Sequence, residues 1–243
     1  MTAKIKVALL GLAALAMALF VWQGPFRAVT YVNAAEYDAY WLWAGVKPQP
    51  VLERAKAIYI LDSEVKAVPS TNLVGLCPAI PRLPDQKVWM VVRVETLNWP
   101  QGLDDHIIER MAGWKAAGNN LVGLQIDFDA GTKGLAGYAS FLTKLRAKLP
   151  PELKLSITGL LDWSANGDPA ELNALGNVVD EVVLQTYQGK RTITGYQTYL
   201  AKLDRLKTPF RIGLVQGGEW REPDALPRHP QFKGYVVFLV NPD

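Results

Sequence analysis

The chain has 243 residues, of which 49% are hydrophobic, 10% aromatic and 20% charged, a composition typical of a globular protein with one large core. Lys4, Lys6 and Arg27 precede the first acidic residue, Glu36, and the remaining 23 basic residues match 23 acidic ones, so the rest is neutral and lacks the basic surface of a nucleic-acid-binding protein. Two histidines and one cysteine are too few for a structural zinc site, so we expect no cofactor and no metal, although carboxylates leave an oxygen-ligated metal open.

The N-terminal segment has the pattern of an export signal or a short membrane anchor. Two lysines precede an uncharged apolar run from Val7 to Trp22. A small-residue cleavage site, Val32-Asn33-Ala34, lies far beyond that run, so cleavage and retention as a membrane anchor both stay open. We therefore expect a signal or anchor with linker over residues 1–34 and one exported domain over residues 35–243. If the source is bacterial, that domain is periplasmic or lies on the outer face of the inner membrane.

Eight short apolar segments follow along the chain. Most are continuous apolar runs, as is typical of parallel strands that are covered on both faces. The predicted strands are Ala39–Val46, Ala57–Val65, Lys87–Thr96, Leu121–Ala130, Leu153–Leu161, Glu181–Gln188, Phe210–Gly217 and Lys233–Asn241.

Four of the connections between these strands have helical patterns. Apolar residues recur at helical spacing from Leu103 to Trp114 and from Leu135 to Leu149. Asp168-Pro169-Ala170-Glu171 is typical of a capped helix start, and Thr194-Gly195-Tyr196-Gln197 repeats that logic. The first, second and seventh connections have no helical pattern.

Alternation of eight strands with helices predicts an α/β fold, a compact (β/α)8 barrel of the TIM type with several missing or shortened helices. An open doubly wound sheet is the alternative. No glycine-rich phosphate loop follows any predicted strand, which disfavours the nucleotide-binding form of that sheet. We expect a monomer.

Polar side chains gather at the C-terminal ends of the predicted strands, where barrels of this type carry their functional residues. Because alternate residues share a face of a strand, three sets are expected to point the same way: Arg93 with Glu95; Gln125 with Asp127 and Asp129; Gln185 with Tyr187. If these faces point inward, close carboxylates leave one protonated acid beside an ionised partner, as glycoside cleavage requires. The alternative is a polar plug whose members satisfy one another.

Further candidates for ligand binding lie just past strand ends. Tryptophans there offer flat apolar faces to sugar rings, with packing between helix and barrel as the alternative, which we prefer for Trp89 and Trp114. The loop candidates are Trp43, Asp162, Trp163, Gln216, Glu219 and Trp220.

The segment from Val122 to Asp129 resembles the fourth-strand signature of chitinase-like enzymes, glycoside hydrolase family 18, which reads Asp-Gly-x-Asp-x-Asp-x-Glu. The resemblance implies that Asp129 occupies the position of the acid and Asp127 that of the residue orienting the substrate's acetamido group. Tyr187 is similarly placed to a sixth-strand tyrosine that holds the same group. Val122 and Gln125 stand where the first two aspartates belong, and the last acid is Asp rather than Glu.

Nearly the whole exported domain resembles a bacterial family called domain of unknown function 3142. The resemblance implies a barrel and an exported setting, and no established activity. The segments that carry it are residues 40–46, 93–97, 123–129, 155–163, 184–189 and 213–218.

Two classes of function follow, and we keep a third open. The first is a glycoside hydrolase acting on a polysaccharide, with Asp129 as general acid and Asp127 or Glu95 as the second carboxylate, or with Asp129 paired with Glu219. The second is a non-catalytic carbohydrate-binding barrel, in which Trp163 and Trp220 line a groove and Arg93 locks Asp129. The third is a membrane-anchored envelope protein whose barrel mouth is merely filled.

Overall fold

A computed structural model describes residues 30–68, 71–77 and 79–241 of the chain. The predicted signal or anchor run, Val7 to Trp22, lies outside these residues. Within the described ranges, no helix combines the length and the apolar character that a membrane crossing needs.

Eight parallel strands form a closed barrel, and all eight predicted strands are confirmed. β1 pairs with both β2 and β8, and each other strand pairs with its neighbours in chain order, so no edge is left open and the doubly wound alternative is wrong. The strands are β1 (Ala39–Leu42), β2 (Ala57–Lys66), β3 (Lys87–Val94), β4 (Leu121–Asp127), β5 (Lys154–Leu160), β6 (Glu181–Gln185), β7 (Phe210–Val215) and β8 (Phe232–Phe238).

Helices cover the barrel along its middle connections. Leu103, Ile107, Met111 and Trp114 form the buried stripe of the first helix, at the spacing that the sequence predicts. The helices are α1 (Leu103–Ala116), α2 (Leu135–Lys148), α3 (Asp162–Asn166), α4 (Pro169–Gly176) and α5 (Tyr196–Leu200).

Helix capping agrees with the sequence at one site and differs at another. Asp168 Oδ1 accepts hydrogen bonds from the amides of Ala170 and Glu171, so Asp168 is the predicted cap of α4. At α5 the cap is Gly195, with φ of +75°, and no side chain caps the helix, so the predicted Thr194 cap is wrong.

Short elements complete the domain. Asn72–Gly75 pairs antiparallel with the end of β2, Thr30–Tyr31 pairs with Glu219–Trp220, and Tyr187–Gln188 pairs with Arg191–Thr192. A 3₁₀ turn, Ala34–Glu36, precedes β1. Others occur in the connections, including the first and seventh, where the sequence has no helical pattern; they span Pro50–Arg54, Thr132–Gly134, Leu203–Arg205 and Leu226–Arg228.

The barrel interior is filled by large aromatic side chains opposite glycines. Trp41, Tyr59 and Trp89 belong to an apolar cluster inside the barrel, separate from the larger cluster between barrel and helices. A Cβ at Gly213 would lie 2.7 Å from the Trp41 ring, and one at Gly123 would lie 2.7 Å from the Trp89 ring. These two glycines therefore provide the space that the indoles occupy.

Candidate functional site

The barrel opens at the C-terminal ends of its strands into a cavity of about 880 Å³. The period-two pattern turns alternate strand residues inward, and those nearest the strand ends reach this cavity. Six of the residues predicted for the site line it: Trp43, Arg93, Asp127, Asp129, Gln185 and Tyr187. The sequence thus predicted six of the seventeen residues that line the cavity.

Asp127, the last residue of β4, is the buried carboxylate of the cavity. Within the described residues, its side chain accepts one hydrogen bond, from Thr158 Oγ1 at 2.8 Å, and only 7% of the residue is exposed. Burial, with a smaller contribution from the negative charge of Asp129, raises its pKa to about 6, although the Thr158 hydrogen bond and Arg93 act in the opposite direction. Asp127 therefore holds a proton at a pH where an ordinary aspartate is ionised.

Asp129 lies two residues further along and is exposed where it lines the cavity. Phe128, between the two aspartates, packs its ring against Tyr138 of α2 with centroids 5.2 Å apart. Phe128 is thus held in the layer between barrel and helices, while both neighbours line the cavity. A buried and an exposed carboxylate therefore line the same cavity, and the charge of the exposed one raises the pKa of the buried one.

Tyr187 and Gln185 supply neutral hydrogen-bonding groups from β6 and the segment after it. The Tyr187 ring stacks on Phe238 at 5.4 Å and meets the edge of Trp41 at 6.3 Å. Burial and the Asp127 carboxylate raise the pKa of the Tyr187 hydroxyl, against a hydrogen bond with Gln185. The phenol therefore stays protonated at neutral pH and can donate a hydrogen bond.

Arg93 brings a positive charge to the cavity, whose lining also includes Lys190. Its guanidinium carbon lies 5.5 Å from the centre of the Trp43 ring, a cation–π contact, and its Nε lies 3.6 Å from Glu64 Oε1. Lys66 binds the other oxygen of Glu64 at 2.8 Å. Among the ion pairs of the described residues, none joins Arg93 to Asp129, so the predicted lock on Asp129 is absent there.

Glu64 forms an ion pair with the cavity residue Arg93 and was not predicted from the sequence. Before it, β2 carries a bulge, because Leu61 pairs with Val91 whereas Ser63 pairs with the next residue of β3. The extra residue, Asp62, reverses the side to which the following side chains point. Alternation alone would have turned Glu64 toward the helices.

Glu95, predicted as a catalytic carboxylate, does not line the cavity. Its carboxylate accepts hydrogen bonds from Lys66 Nζ and from the amide of Ala67, both at 3.0 Å. These two contacts lower the pKa of Glu95. It therefore helps to hold the chain after β2 and lies apart from the two aspartates.

Gln125, also predicted for the site, lies below the cavity in the barrel interior. Its Oε1 accepts a hydrogen bond from Trp41 Nε1 at 2.6 Å, and its Nε2 donates to Ser156 Oγ at 2.9 Å. The residue is fully buried. The satisfied polar plug that the sequence offered as an alternative is present at this level.

Trp163 and Trp220 were predicted to face a ligand, and the structure buries both. Trp163 is 1% exposed and its Nε1 donates to the Ala130 carbonyl at 2.7 Å. Trp220 is 4% exposed and stacks on Tyr196 with centroids 4.9 Å apart. Neither indole offers a free face to a sugar, so this part of the prediction is wrong. Trp89 and Trp114, by contrast, are core residues as expected.

Three further candidates lie beside the cavity without lining it. Asp162 begins α3, and its Oδ1 is buried with no hydrogen-bond partner among the described residues. Gln216 exchanges two hydrogen bonds with Gln49, at 2.9 and 3.0 Å, which occupies its amide. Glu219 is exposed in the short strand that pairs with Thr30–Tyr31.

No group of three or more histidine, cysteine, aspartate or glutamate side chains in the described ranges is arranged to hold a metal ion. Two other cavities, each of about 510 Å³, lie elsewhere on the surface. One of them runs along α2 beside Trp99 and Phe141, and the other lies between the first 3₁₀ turn after β1 and the segment before β3. Neither contains Asp127 or Asp129.

Solved structures with the same fold include two chitinases and an inhibitor protein. A chitinase from Bacteroides thetaiotaomicron matches with a TM-score of 0.52 and 14% identity, covering 73% of this chain and 67% of that one. A class V chitinase from Nicotiana tobaccum matches with a TM-score of 0.51 and 11% identity, covering 73% and 66%. The xylanase and alpha-amylase inhibitor protein XAIP-II from Scadoxus multiflorus matches with a TM-score of 0.50 and 10% identity, covering 83% and 92%. These matches confirm the predicted barrel fold.

The chain spans 49% of the spore cortex-lytic enzyme SleL from Bacillus cereus, and about two thirds of the two chitinases, so it is shorter than these proteins. No curated protein matches its sequence. The sequence profile described as domain of unknown function (DUF3142) matches residues 86–202, the stretch from β3 to α5 that includes Arg93, Asp127, Asp129 and Tyr187, and this match confirms the family resemblance predicted from the sequence.

Proposed function

We propose that this protein is an exported glycoside hydrolase that binds a polysaccharide in the cavity and cleaves it with Asp127 and Asp129. One observation carries the proposal: two carboxylates two residues apart line an open cavity, and the pKa of the buried one is raised to about 6. Below that pH Asp127 holds a proton and lies beside a second carboxyl group in the cavity. This is the protonation state that cleavage of a glycosidic bond uses.

The exposed member, Asp129, is the general acid of the proposal. The proton that Asp127 stores passes to Asp129, which transfers it to the glycosidic oxygen, and that oxygen also takes the electron pair of the breaking bond to the sugar carbon. Asp127, ionised when Asp129 carries the proton, stabilises the positive charge that develops on the sugar. Water then adds to the sugar carbon, and its proton returns to the pair.

The neutral groups of the cavity orient the substrate in this proposal. The Tyr187 hydroxyl and the Gln185 amide line the same cavity as the two aspartates and can hydrogen-bond a sugar. Trp43 contributes an apolar ring, and Arg93 lies over it. The tobacco chitinase, which shares the fold, has been solved in complex with NAG4.

The alternatives that paired Asp129 with other acids have weaker support. Glu95 is held by Lys66 and Ala67, and Glu219 is absent from the lining of the cavity. Asp127 is therefore the partner that we favour.

A non-catalytic carbohydrate-binding barrel is the second candidate, and Gln125 favours it. In the chitinase-like signature this position is an aspartate below the acid pair, whereas here an amide is held between Trp41 and Ser156. An amide in this position cannot ionise or exchange a carboxyl proton with Asp127. A barrel of this kind binds sugar and cleaves nothing.

Export rests on the sequence alone. The two N-terminal lysines and the apolar run to Trp22 are the basis for placing the domain across a membrane, either released or anchored. Anchoring would keep the cavity near a cell envelope, where polysaccharides are abundant.

The test is a panel of polysaccharides incubated with the purified protein and assayed for reducing ends and for retained protein. Asp129→Asn is expected to abolish reducing-end release and to leave both folding and polysaccharide binding intact. Glu219→Gln is the matched control, an acid outside the cavity, and is expected to retain activity. Binding without any hydrolysis by the unmutated protein would support the second candidate, and full activity of Asp129→Asn would refute the proposed acid.

A further inference from the structure

Asp62, the extra residue of the β2 bulge, is held by hydrogen bonds from helix α1 on the outer side of the barrel. Arg110 of α1 donates to both carboxylate oxygens of Asp62, from Nε and Nη2 at 2.6 Å each, and Trp114 Nε1 donates to Oδ1 at 3.0 Å. The Asp62 carbonyl accepts from the amides of Leu76 and Cys77 at 2.8 and 3.0 Å. Asp62 itself is fully buried.

The bulge determines which side chains of β2 reach the inside of the barrel. Before it, Tyr59 and Leu61 belong to the inner cluster, and Ile58 and Ile60 to the outer one. After it the parity is reversed, because Val65 lies in the outer cluster while its neighbour Glu64 pairs across to Arg93. A strand without the extra residue would present Glu64 to the helices.

We infer that Asp62 and Arg110, on the outer side of the barrel, are positioning residues for the cavity, because they fix the bulge that turns Glu64 toward Arg93. Glu64 then holds the Arg93 guanidinium over the Trp43 ring, in the lining of the cavity. A contact between a helix and the outside of a strand thereby sets the charge arrangement around the aspartates. The inference rests on the proposed function only in taking this cavity as the site.

The titration of Asp127 reports on this arrangement and needs no sugar. The pKa of Asp127 responds to Thr158 on β5, Arg93 on β3, Glu64 on β2 and Asp129 just after β4. The other titratable groups nearby are the hydroxyls of Tyr138 and Tyr187, which interact with Asp127, and Lys190 in the cavity lining. Glu64 raises the pKa of Asp127 and Arg93 lowers it. Moving the Glu64 carboxylate away removes one negative charge that raises the pKa of Asp127. It also removes the ion-pair partner of Arg93, whose positive charge then lowers that pKa more strongly.

The experiment compares Arg110→Gln, Glu64→Gln and the double variant by carboxyl ¹³C NMR titration of Asp127, with thermal unfolding to confirm folding. Each single variant is expected to lower the Asp127 midpoint, and the double variant to fall no further than Glu64→Gln alone, because Arg110 acts through Glu64. Arg110→Lys keeps the positive charge and loses the bidentate hydrogen bonds to Asp62. It is the variant expected to fold well, and we expect a smaller shift of the Asp127 midpoint in the same direction.

Arg146→Gln is the matched control. Arg146 of α2 also pairs with an aspartate, Asp180 at 3.3 Å, and its side chain is 33% exposed against 34% for Arg110. It is expected to leave the Asp127 midpoint unchanged. The inference would be overturned if Arg110→Gln and Arg110→Lys left the Asp127 midpoint at the wild-type value. It would also be overturned if the shifts of the two single variants added in the double variant. Both outcomes are independent of whether the protein cleaves sugars.

Discussion

The two ends of the barrel interior use similar polar residues in opposite ways. At the N-terminal end, Glu181 accepts hydrogen bonds from Tyr59 at 2.7 Å, from Arg211 at 2.7 Å and from Ser156 at 3.4 Å. At the C-terminal end, the buried carboxylate of Asp127 accepts one, from Thr158. The first end is a closed network, and the second is an open cavity.

The comparison separates a structural use of buried charge from a chemical one. A carboxylate with a cationic partner and several donors is stable in its ionised form inside a protein. A carboxylate buried with one donor and a second acid nearby stores a proton instead. The sequence alone offered these as alternatives for one cluster, whereas the molecule has both, at different depths.

The largest expected effect comes from breaking the closed network. Glu181→Ala leaves Arg211 and Tyr59 without their shared acceptor, so we expect the free energy of unfolding to fall by about 3 kcal/mol or more. Chemical denaturation measures it. Glu152→Ala, which removes the exposed ion pair with Lys115, is the control and is expected to have a far smaller effect. Equal losses in the two variants would contradict the distinction between the ends.

At the open end we expect the charged form of the buried acid to lower the free energy of unfolding, whereas the charged acid at the closed end raises it. Because the folded-state pKa of Asp127 is raised from 3.8 to about 6, the native state binds the proton more tightly than the unfolded state. Stability from this group is complete below about pH 4 and is lost as the pH rises to about 6. The difference corresponds to on the order of 3 kcal/mol at most.

Asp127→Asn removes this pH dependence, since asparagine cannot ionise. The variant is expected to be more stable than the wild type at pH 8 and about equally stable at pH 4, as measured by denaturation at both pH values. A variant that is less stable at pH 8 would mean that Asp127 is a well-paired structural acid like Glu181.

A smaller effect tests the packing between the two ends. Gly213→Ala places a Cβ 2.7 Å from the Trp41 ring, whose Nε1 holds Gln125, so we expect a loss of about 1–3 kcal/mol in denaturation experiments. Gly137→Ala, on the exposed face of α2 with nothing within 4 Å, is the control and is expected to gain about 0.5–1 kcal/mol. A harmless Gly213→Ala would show that the Trp41 indole has room to move.

The barrel could be predicted because its strands depend on local pattern. Eight short apolar segments, most of them continuous apolar runs, predicted all eight strands, and period two predicted that Asp127, Asp129, Gln185 and Tyr187 share one cavity. Several predicted strands, such as those ending at Val46 and Ala130, extend beyond the observed strand ends, because apolar residues continue into the loops that line the site.

What the sequence could not supply depends on contacts between distant elements. The bulge at Asp62 adds one residue to β2 and leaves no mark in the apolar pattern, yet it decides where Glu64 points. Trp163 and Trp220 follow strand ends as ligand-binding tryptophans do, but their burial is set by Tyr138, Tyr196 and Tyr235, which come from elsewhere in the chain.

The ionisation of Asp127, followed by carboxyl ¹³C NMR from pH 3 to pH 9, tests most directly whether the open end stores a proton. We predict a midpoint near 6 for Asp127. A midpoint near 3.8, the value of an ordinary aspartate, would contradict the account, because Asp127 would then be ionised at pH 6 despite its burial and would store no proton.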